Sequence, residues 1–270
     1  MTPSSGTEFS VGGLYVYPIK SCGGISLNAA ELDERGIRHD RRWMLVDTRG
    51  EFVSQRTDPK LSLVRVQIDA DSLTINAPDM LEIGIPFETK PDSSLLATIW
   101  GDAVEVSPVG EEVDLWFSEF LGAYRRLVHL PDASVRVVDP DFGHRKDKVA
   151  LADGFPLLLL SEASLEDLNG RLETPLPMNR FRPNIVVGGC EAFAEDEWSE
   201  VRVGEVGMRV AKPCARCKIT TVDQSTAAAG KEPLRTLAEY RKRDGEVFFG
   251  QNLIHDETGV LRVGDSVRSA

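Results

Sequence analysis

The chain's hydrophobic pattern is mostly that of short strands, with a few stretches of helical spacing. Leu14-Tyr15-Val16-Tyr17 is an apolar run that stops at Pro18. Arg42-Trp43-Met44-Leu45-Val46 leads through Asp47-Thr48-Arg49-Gly50 into Glu51-Phe52-Val53. Two β-rich runs about a short glycine-containing turn predict a hairpin. Leu63 to Ile68 alternates, Leu73-Thr74-Ile75 follows after Asp69-Ala70-Asp71, and Ala103-Val104-Glu105-Val106 is one more alternating piece. Helical spacing first appears at Val113, Trp116, Phe117, Phe120 and Leu121, with Gly122 as its stop.

The second half mixes both periods. Leu165, Leu168 and Leu172 share a helix face, and Ser164 with Asp167 resembles an N-terminal capping pair. Asn184-Ile185-Val186-Val187 reads as a buried strand ended by Gly188-Gly189, and Val201-Arg202-Val203 and Met208-Arg209-Val210 flank a glycine-containing turn. Pro233 suits the first turn of a helix carrying Leu234, Leu237 and Tyr240, and Val260 to Val267 closes the chain. Strands outnumber helices without a βαβ alternation, which argues against a doubly wound sheet. The predicted fold class is therefore α+β, β-rich and two-lobed. The weakest join lies around residues 122–132, which sets the expected lobes at 8–122 and 123–270.

Composition narrows the function classes. With 270 residues, 41% of them hydrophobic, the chain can bury one large core or two modest ones. Its 31 basic and 43 acidic residues give a net charge of −12, which argues against a nonspecific nucleic-acid partner. A local basic pocket is still compatible with that sum. The longest nearly unbroken apolar run, Phe155-Pro156-Leu157-Leu158-Leu159-Leu160, is far short of the ~20 residues that span a bilayer. Met1 to Ser10 is polar and lacks a signal-peptide pattern, so a soluble, cytoplasmic protein with no membrane partner is expected. The four cysteines (Cys22, Cys190, Cys214 and Cys217) do not read as a disulfide framework.

Candidate chemistry is densest at Lys212-Pro213-Cys214-Ala215-Arg216-Cys217-Lys218, where three cations flank two thiols. Nearby positive charge favours the thiolate, which can act as nucleophile, redox partner or soft-metal ligand. The β-branched residues after Cys217 put the pair on a loop expected to enter a strand, not at the head of a helix as in a thioredoxin-like site. A structural zinc needs four ligands, and Cys22, Cys190 and the four histidines are scattered singly. An unreactive, space-filling pair is the plainer alternative. Tyr17-Pro18-Ile19-Lys20-Ser21-Cys22-Gly23-Gly24 ends a strand with an ammonium, a hydroxyl and two glycines, either an anion-binding turn or an ordinary polar one. Asp40-Arg41-Arg42-Trp43 places two arginines before an apolar strand. Arg182 and Asn184, two apart on an extended chain, face one side and can grip a phosphate or a heterocycle's amide edge, or else form a structural ion pair. No Walker loop, Gly-x-Gly-x-x-Gly, Gly-x-Ser-x-Gly or His-Glu-x-x-His is present, so the common nucleotide, hydrolase and zincin readings fall away.

Taken in order, Tyr17 to Cys22, Asp40 to Trp43, Leu160 to Leu165, Asn179 to Val186, Cys214 to Asp223 and Phe249 to Leu253 form a set. It resembles the MOSC-domain proteins that carry an N-terminal β-barrel domain, and among them the amidoxime-reducing component group. The resemblance covers roughly residues 10 to 268. It implies an N-terminal β-barrel domain at 8–122, a MOSC β-barrel domain at 123–270, and a molybdenum–molybdopterin cofactor held between the lobes. The second cysteine of the motif, Cys217, would then ligate molybdenum and be the catalytic residue, with Ala215 and Arg216 beside the cofactor. Lys20 and Ser21 would contact it from the first turn, and Arg41, Arg182 and Asn184 match pterin and phosphate contacts. Gly154 and Phe155 match a cofactor-touching loop, though the family's hydroxyl-bearing residues are replaced there. Cys214 would be structural or a neighbour.

The implied reaction is two-electron reduction of an N–O bond in a small N-hydroxylated substrate, with water leaving. No cysteine follows Cys217, so a separate ferredoxin-like or reductase protein is expected to supply electrons, and no membrane anchor of the mitochondrial type is expected. The alternative is a molybdenum-cofactor carrier or sulfur-carrier module holding a persulfide on Cys217.

Overall fold

The computed structural model describes residues 9–87 and 94–270. Seven strands close a barrel. Phe9–Val16 pairs antiparallel with Ile185–Gly188 on one side and with Ser266–Ser269 on the other. From there the ladder runs through Glu200–Val203, Val206–Ala215 and Glu246–His255 to Leu157–Ser161, which returns in parallel to Ile185–Gly188. Closure leaves this sheet without a bare edge. The inward positions pack as one core around Leu14, Leu159, Ile185, Val201, Met208, Leu253 and Val267. Each is apolar and alternates with outward residues, the pattern that fixes strand register.

The N-terminal half folds as a half-barrel beside it. Trp43–Val46, Arg126–His129, Asp102–Pro108 and Leu95–Ile99 form one sheet, and Arg65–Ile68, Ser72–Asn76 and Ile83–Pro86 another. Helix α1, Glu111–Leu121, lays Val113, Trp116 and Phe117 into the core between them, as its spacing predicts. Gly122 ends it in the left-handed conformation, at φ 72°.

Two strands cross the division expected at residues 122 and 123. The first strand, Phe9–Val16, is hydrogen-bonded into the C-terminal barrel. Conversely, Arg126–His129 completes the N-terminal sheet, paired with Trp43–Val46 and Asp102–Pro108. An apolar alternating strand reads the same whichever edge it joins, so periodicity carries no information on that choice.

Two local expectations are corrected. The cap of α2, Glu162–Gly170, is Ser161, whose hydroxyl accepts from the Ser164 backbone N–H, three residues upstream of the Ser164–Asp167 pairing. The β-branched run after Cys217 is not a strand but a 3-10 turn, Lys218–Thr221. Its Thr220 and Thr221 hydroxyls donate back to the carbonyls of Cys217 (3.0 Å) and Lys218 (2.8 Å), a local bond that competes with a sheet ladder. The helix starting after Pro233 is α3, Leu234–Tyr240. Among the described residues no helix is long and apolar enough to cross a membrane.

Candidate functional site

Strand polarity brings the motif residues to one end of the barrel. Phe9–Val16 and Val206–Ala215 both finish there, and Leu157–Ser161 and Ile185–Gly188 both begin there, because Leu14 lies opposite Ile185 and Asn252 opposite both Leu158 and Lys212. The turn after the first strand delivers Lys20 and Ser21, and the extension of the Val206–Ala215 strand delivers Arg216 and Cys217. Gly154 and Phe155 precede one barrel strand, and Arg182 and Asn184 precede another. Arg41 enters from the N-terminal half, its backbone N–H bonded to the Tyr17 carbonyl at 2.9 Å.

All of these residues, with Ala215, line a single cavity of about 140 Å³. Lys212 and Lys218 are not part of its wall. The Lys212 ammonium sits 4.3 Å from the Phe142 ring centroid, and Lys218 is exposed on the 3-10 turn. The lining nevertheless holds four cations, Lys20, Arg41, Arg182 and Arg216, against one carboxylate, Asp153. A protein of net charge −12 thus has a local reversal of sign at this point.

Each polar group is fixed by partners. The Lys20 ammonium donates to the Asp153 carboxylate at 2.6 Å and to the Leu151 carbonyl at 2.7 Å. Burial pushes this lysine down from its usual range, and Asp153 opposes the shift. Desolvation raises Asp153 in turn, but Lys20 and Arg56 more than reverse it and hold the carboxyl well below the usual carboxylate range. Arg41 pairs with the buried Asp40, which also accepts the Tyr17 N–H at 2.8 Å. It donates as well to the Asn184 side-chain oxygen at 3.0 Å. The Tyr17 ring lies 4.3 Å from both the Arg41 and Arg182 guanidinium carbons. Burial pushes its phenol well up, so the hydroxyl stays a donor, to the Pro183 carbonyl at 3.0 Å.

Two observations mark this wall as more than a structural ion network. The Arg182 Nη2 and Arg216 Nε atoms are buried and have no hydrogen-bond partner among the described residues; Nε is also unpartnered at Arg35, Arg42, Arg125 and Arg180, so the weight falls on Arg182 Nη2. In addition Ser21, Arg41 and Arg182 adopt left-handed backbone conformations (φ 71°, 47° and 55°). Such conformations cost of order 1 kcal/mol or more each for non-glycine residues and collect at ligand clamps. Gly154 contributes room of another kind, since a Cβ built there would meet nothing within 4 Å. The backbone of that loop is therefore open to a ligand where a side-chain hydroxyl is lacking.

The two thiols of the motif differ in surroundings. Cys214 Sγ accepts from Arg216 Nη1 at 3.0 Å, whose other nitrogen is spent on the Phe181 carbonyl at 2.6 Å. Cys217 Sγ accepts from Arg56 Nη2 at 3.2 Å. Both cysteines are half-buried, while Cys22 and Cys190 are buried. Burial pushes the Cys22 thiol up to about 12 and makes it inert.

Sequence reasoning missed Arg56, Trp100 and Asp153. Asp153 directly precedes Gly154-Phe155, so its position was the one available signal. Arg56 and Trp100 lie in turns of the N-terminal half with no motif around them. Gln55 was missed too. It is fully buried, its amide exchanges bonds of 3.0 and 2.9 Å with the Gln224 amide, and it donates to the Ser21 carbonyl at 2.7 Å. It thereby ties the first turn to the segment that follows the cysteine loop.

Comparison with known proteins gives the family. Residues 8–124 match the MOSC N-terminal beta barrel domain and residues 146–268 the MOSC domain. The mouse mitochondrial amidoxime-reducing component 1 is 39% identical over 277 aligned residues, covering 96% of this chain and 81% of that protein. The human protein of the same name is 36% identical, at 96% and 82% coverage. The rat mitochondrial amidoxime reducing component 2 is 37% identical, again at 96% and 82%. With both domains matched in order and the likeness running nearly end to end, the chain belongs to the MOSC-domain family, in the group of the amidoxime-reducing components.

Proposed function

We propose that this protein is a molybdenum-cofactor-dependent oxidoreductase that reduces small N-hydroxylated substrates, with Cys217 as the metal ligand and electrons delivered by a separate redox protein. The reading is carried by one observation: a half-buried thiol shares its cavity with four cations, two of which keep a buried N–H unpartnered. That donor set fits a phosphate-bearing, pterin-type dithiolene group, which asks for anion donors at one end and a soft sulfur at the other. The names of the relatives supply the substrate class.

When bound, the cofactor supplies the two-electron chemistry by which an N–OH group, two protons and two electrons become N–H and water. The chain's own part is binding and orientation. Arg182 and Arg216 offer their free N–H groups to the anionic end, and Asn184, held by Arg41 and by the Leu158 backbone N–H at 3.2 Å, fixes the angle of the wall beside them. Lys20 adds a buried positive charge that Asp153 anchors. Cys217 presents sulfur from a turn that the Thr220 hydroxyl braces at the Cys217 carbonyl. Cys22 and Cys190 are buried in different cores, so the chain's four thiols do not converge as an iron–sulfur ligand set, which supports a separate donor.

Protein purified from cells that make molybdopterin should carry one molybdenum per chain and reduce benzamidoxime with an artificial electron donor. Protein from cells without that synthesis should do neither. Cys217→Ser should fold and lose the activity. Full activity in that variant overturns the ligand assignment, and a persulfide on Cys217 with no reduction by the metal-loaded protein makes the chain a carrier instead.

A further inference from the structure

Among the described residues, Arg56 is a cation outside the motif set that reaches the Cys217 sulfur. It comes from the N-terminal half, and its guanidinium is held on three sides. Nη2 lies 3.2 Å from Cys217 Sγ and 3.4 Å from Asp153 Oδ2, and the guanidinium carbon sits 4.5 Å from the centroid of the Trp100 ring. Trp100 is itself pinned, its indole N–H donating to Asp153 Oδ1 at 3.2 Å from a turn in which it takes the left-handed conformation. The Trp100 side of this clamp is open to solvent, since the residue is 55% exposed, whereas the Arg56 side chain is only 19% exposed. A purely structural arginine would not need two separate holders to aim one nitrogen at a thiol.

We propose that Arg56 is a positioning residue for Cys217: clamped between the Asp153 carboxylate and the Trp100 ring, it donates a hydrogen bond to Sγ that fixes the sulfur's direction into the cavity and, through it, the setting of a metal held there. A charge-assisted N–H donor makes a stronger and more directional bond to an anion than a neutral one. A guanidinium carries donors and no acceptor, so the bond runs only from nitrogen to sulfur. Hydrogen bonds to a ligating atom orient it and tune the metal it holds. The N-terminal half thereby supplies a residue to a sulfur that the C-terminal barrel carries, and the site is incomplete without it. The inference rests on the reading of Cys217 as the metal ligand, although the first measurement below does not.

In crystals of metal-free protein from cells lacking molybdopterin synthesis, the direction of Cys217 Sγ is read with Cys214 as internal control. In Arg56→Gln, Cys217 Sγ should leave its position or divide between two rotamers, while Cys214, bonded to Arg216, stays in place. Trp100→Ala changes an exposed residue and should release Cys217 Sγ in the same way by freeing Arg56. A merely space-filling arginine leaves the sulfur where it is. A Cys217 Sγ that keeps one unchanged position in either variant overturns the proposal.

In holoprotein, the Mo(V) electron-resonance signal of Arg56→Gln should be displaced from that of the unmodified protein, and Arg56→Lys should restore part of the displacement. An unchanged signal overturns the second half of the proposal. If the unmodified protein carries no molybdenum while the crystallographic result holds, the metal reading fails and the role of Arg56 toward the sulfur stands.

Discussion

Replacing Arg182 with methionine should leave the metal-free protein about as stable as before and abolish its capacity to hold the cofactor. Arg182 is 9% exposed and has no carboxylate within ion-pair distance among the described residues. Burial pushes its guanidinium down to about 10, with Arg41 nearby adding to the shift and Tyr17 opposing it. From an ordinary value of 12.5 that is a difference of 2.5. At about 1.36 kcal/mol for each unit, the fold carries roughly 3 kcal/mol at neutral pH for keeping the charge inside. Methionine has a similar reach without the charge, so this penalty disappears. Against that stand the hydrogen bond to the Cys22 carbonyl at 2.7 Å and the stack on Tyr17 at 4.3 Å. A charged hydrogen bond contributes about 1.5–3 kcal/mol and a cation–ring contact about 0.5–2 kcal/mol. The opposing sums nearly cancel, and the net change should fall within about 2 kcal/mol of zero. Urea unfolding of metal-free protein measures it. Molybdenum content in the same variant should fall about tenfold or more, as for lost contacts around a bound metal group. A loss of more than about 3 kcal/mol would show a structural arginine whose partners already satisfy it, of the kind whose removal strands a buried group. Undiminished molybdenum would equally refute the reasoning.

Gly250 has φ 82°, and a Cβ there would lie 2.7 Å from the Leu159 carbonyl oxygen and from Leu160 Cδ1, where the barrel closes. Gly250→Ala should therefore lower the unfolding free energy by about 2–4 kcal/mol, the sum of left-handed strain and overpacking. A midpoint within error of the unmodified protein would mean that the two strands do not approach so closely. His129 packs its ring 4.8 Å from Trp43, and burial pushes it down to about 4, with Arg42 adding to the shift. Its folded value lies below the unfolded one near 6.5, so the unfolded chain binds the proton first and stability is lost as pH falls from 6.5 towards 4. The loss should reach about 2–3 kcal/mol near pH 4 and be smaller by that amount in His129→Gln. Parallel pH profiles for the two proteins would contradict this assignment.

The legible part of the molecule is what local chemistry determines. Helix α1 was readable because Val113, Trp116 and Phe117 repeat at helical spacing and Gly122 supplies the left-handed cap. The strands Arg65–Ile68 and Ser72–Asn76 were readable from their alternation on either side of a polar turn. Membership of Phe9–Val16 in the distant barrel was not, because strand pairing over more than 170 residues leaves no mark on local periodicity (Leu14 lies opposite Ile185). The same division holds at the site. Lys20, Arg41, Arg182 and Cys217 stand in recognisable motifs, and all of them line the cavity. Arg56, Trp100 and Gln55 stand in turns whose sequence asks for nothing in particular, and their roles exist only through tertiary contact. Lys212 and Lys218 show the converse: adjacency to the cysteines in sequence did not bring their charges into the wall.

The positions of strain connect these facts. Ser21, Arg41 and Arg182 hold left-handed conformations and are tied to distant segments, the Ser21 carbonyl by the Gln55 amide at 2.7 Å and the Arg182 carbonyl by the Arg41 guanidinium at 3.2 Å. The Arg41 N–H goes to Tyr17 and its carbonyl receives the Leu151 N–H, so the residue is fixed from two distant segments at once. Closure of the barrel makes such fixing possible, because the end of Phe9–Val16 and the starts of Leu157–Ser161 and Ile185–Gly188 each have bonded neighbours on both sides. A free sheet edge could relax the same residues into ordinary conformations and let the arginines turn outward to water. The closed ladder prevents that escape and leaves the guanidinium groups facing one another around Tyr17, a repulsive arrangement that an anionic guest relieves. The cavity's affinity for such a guest and the instability of its empty wall are thus two sides of one electrostatic fact, and removing a cation should weaken the first while easing the second.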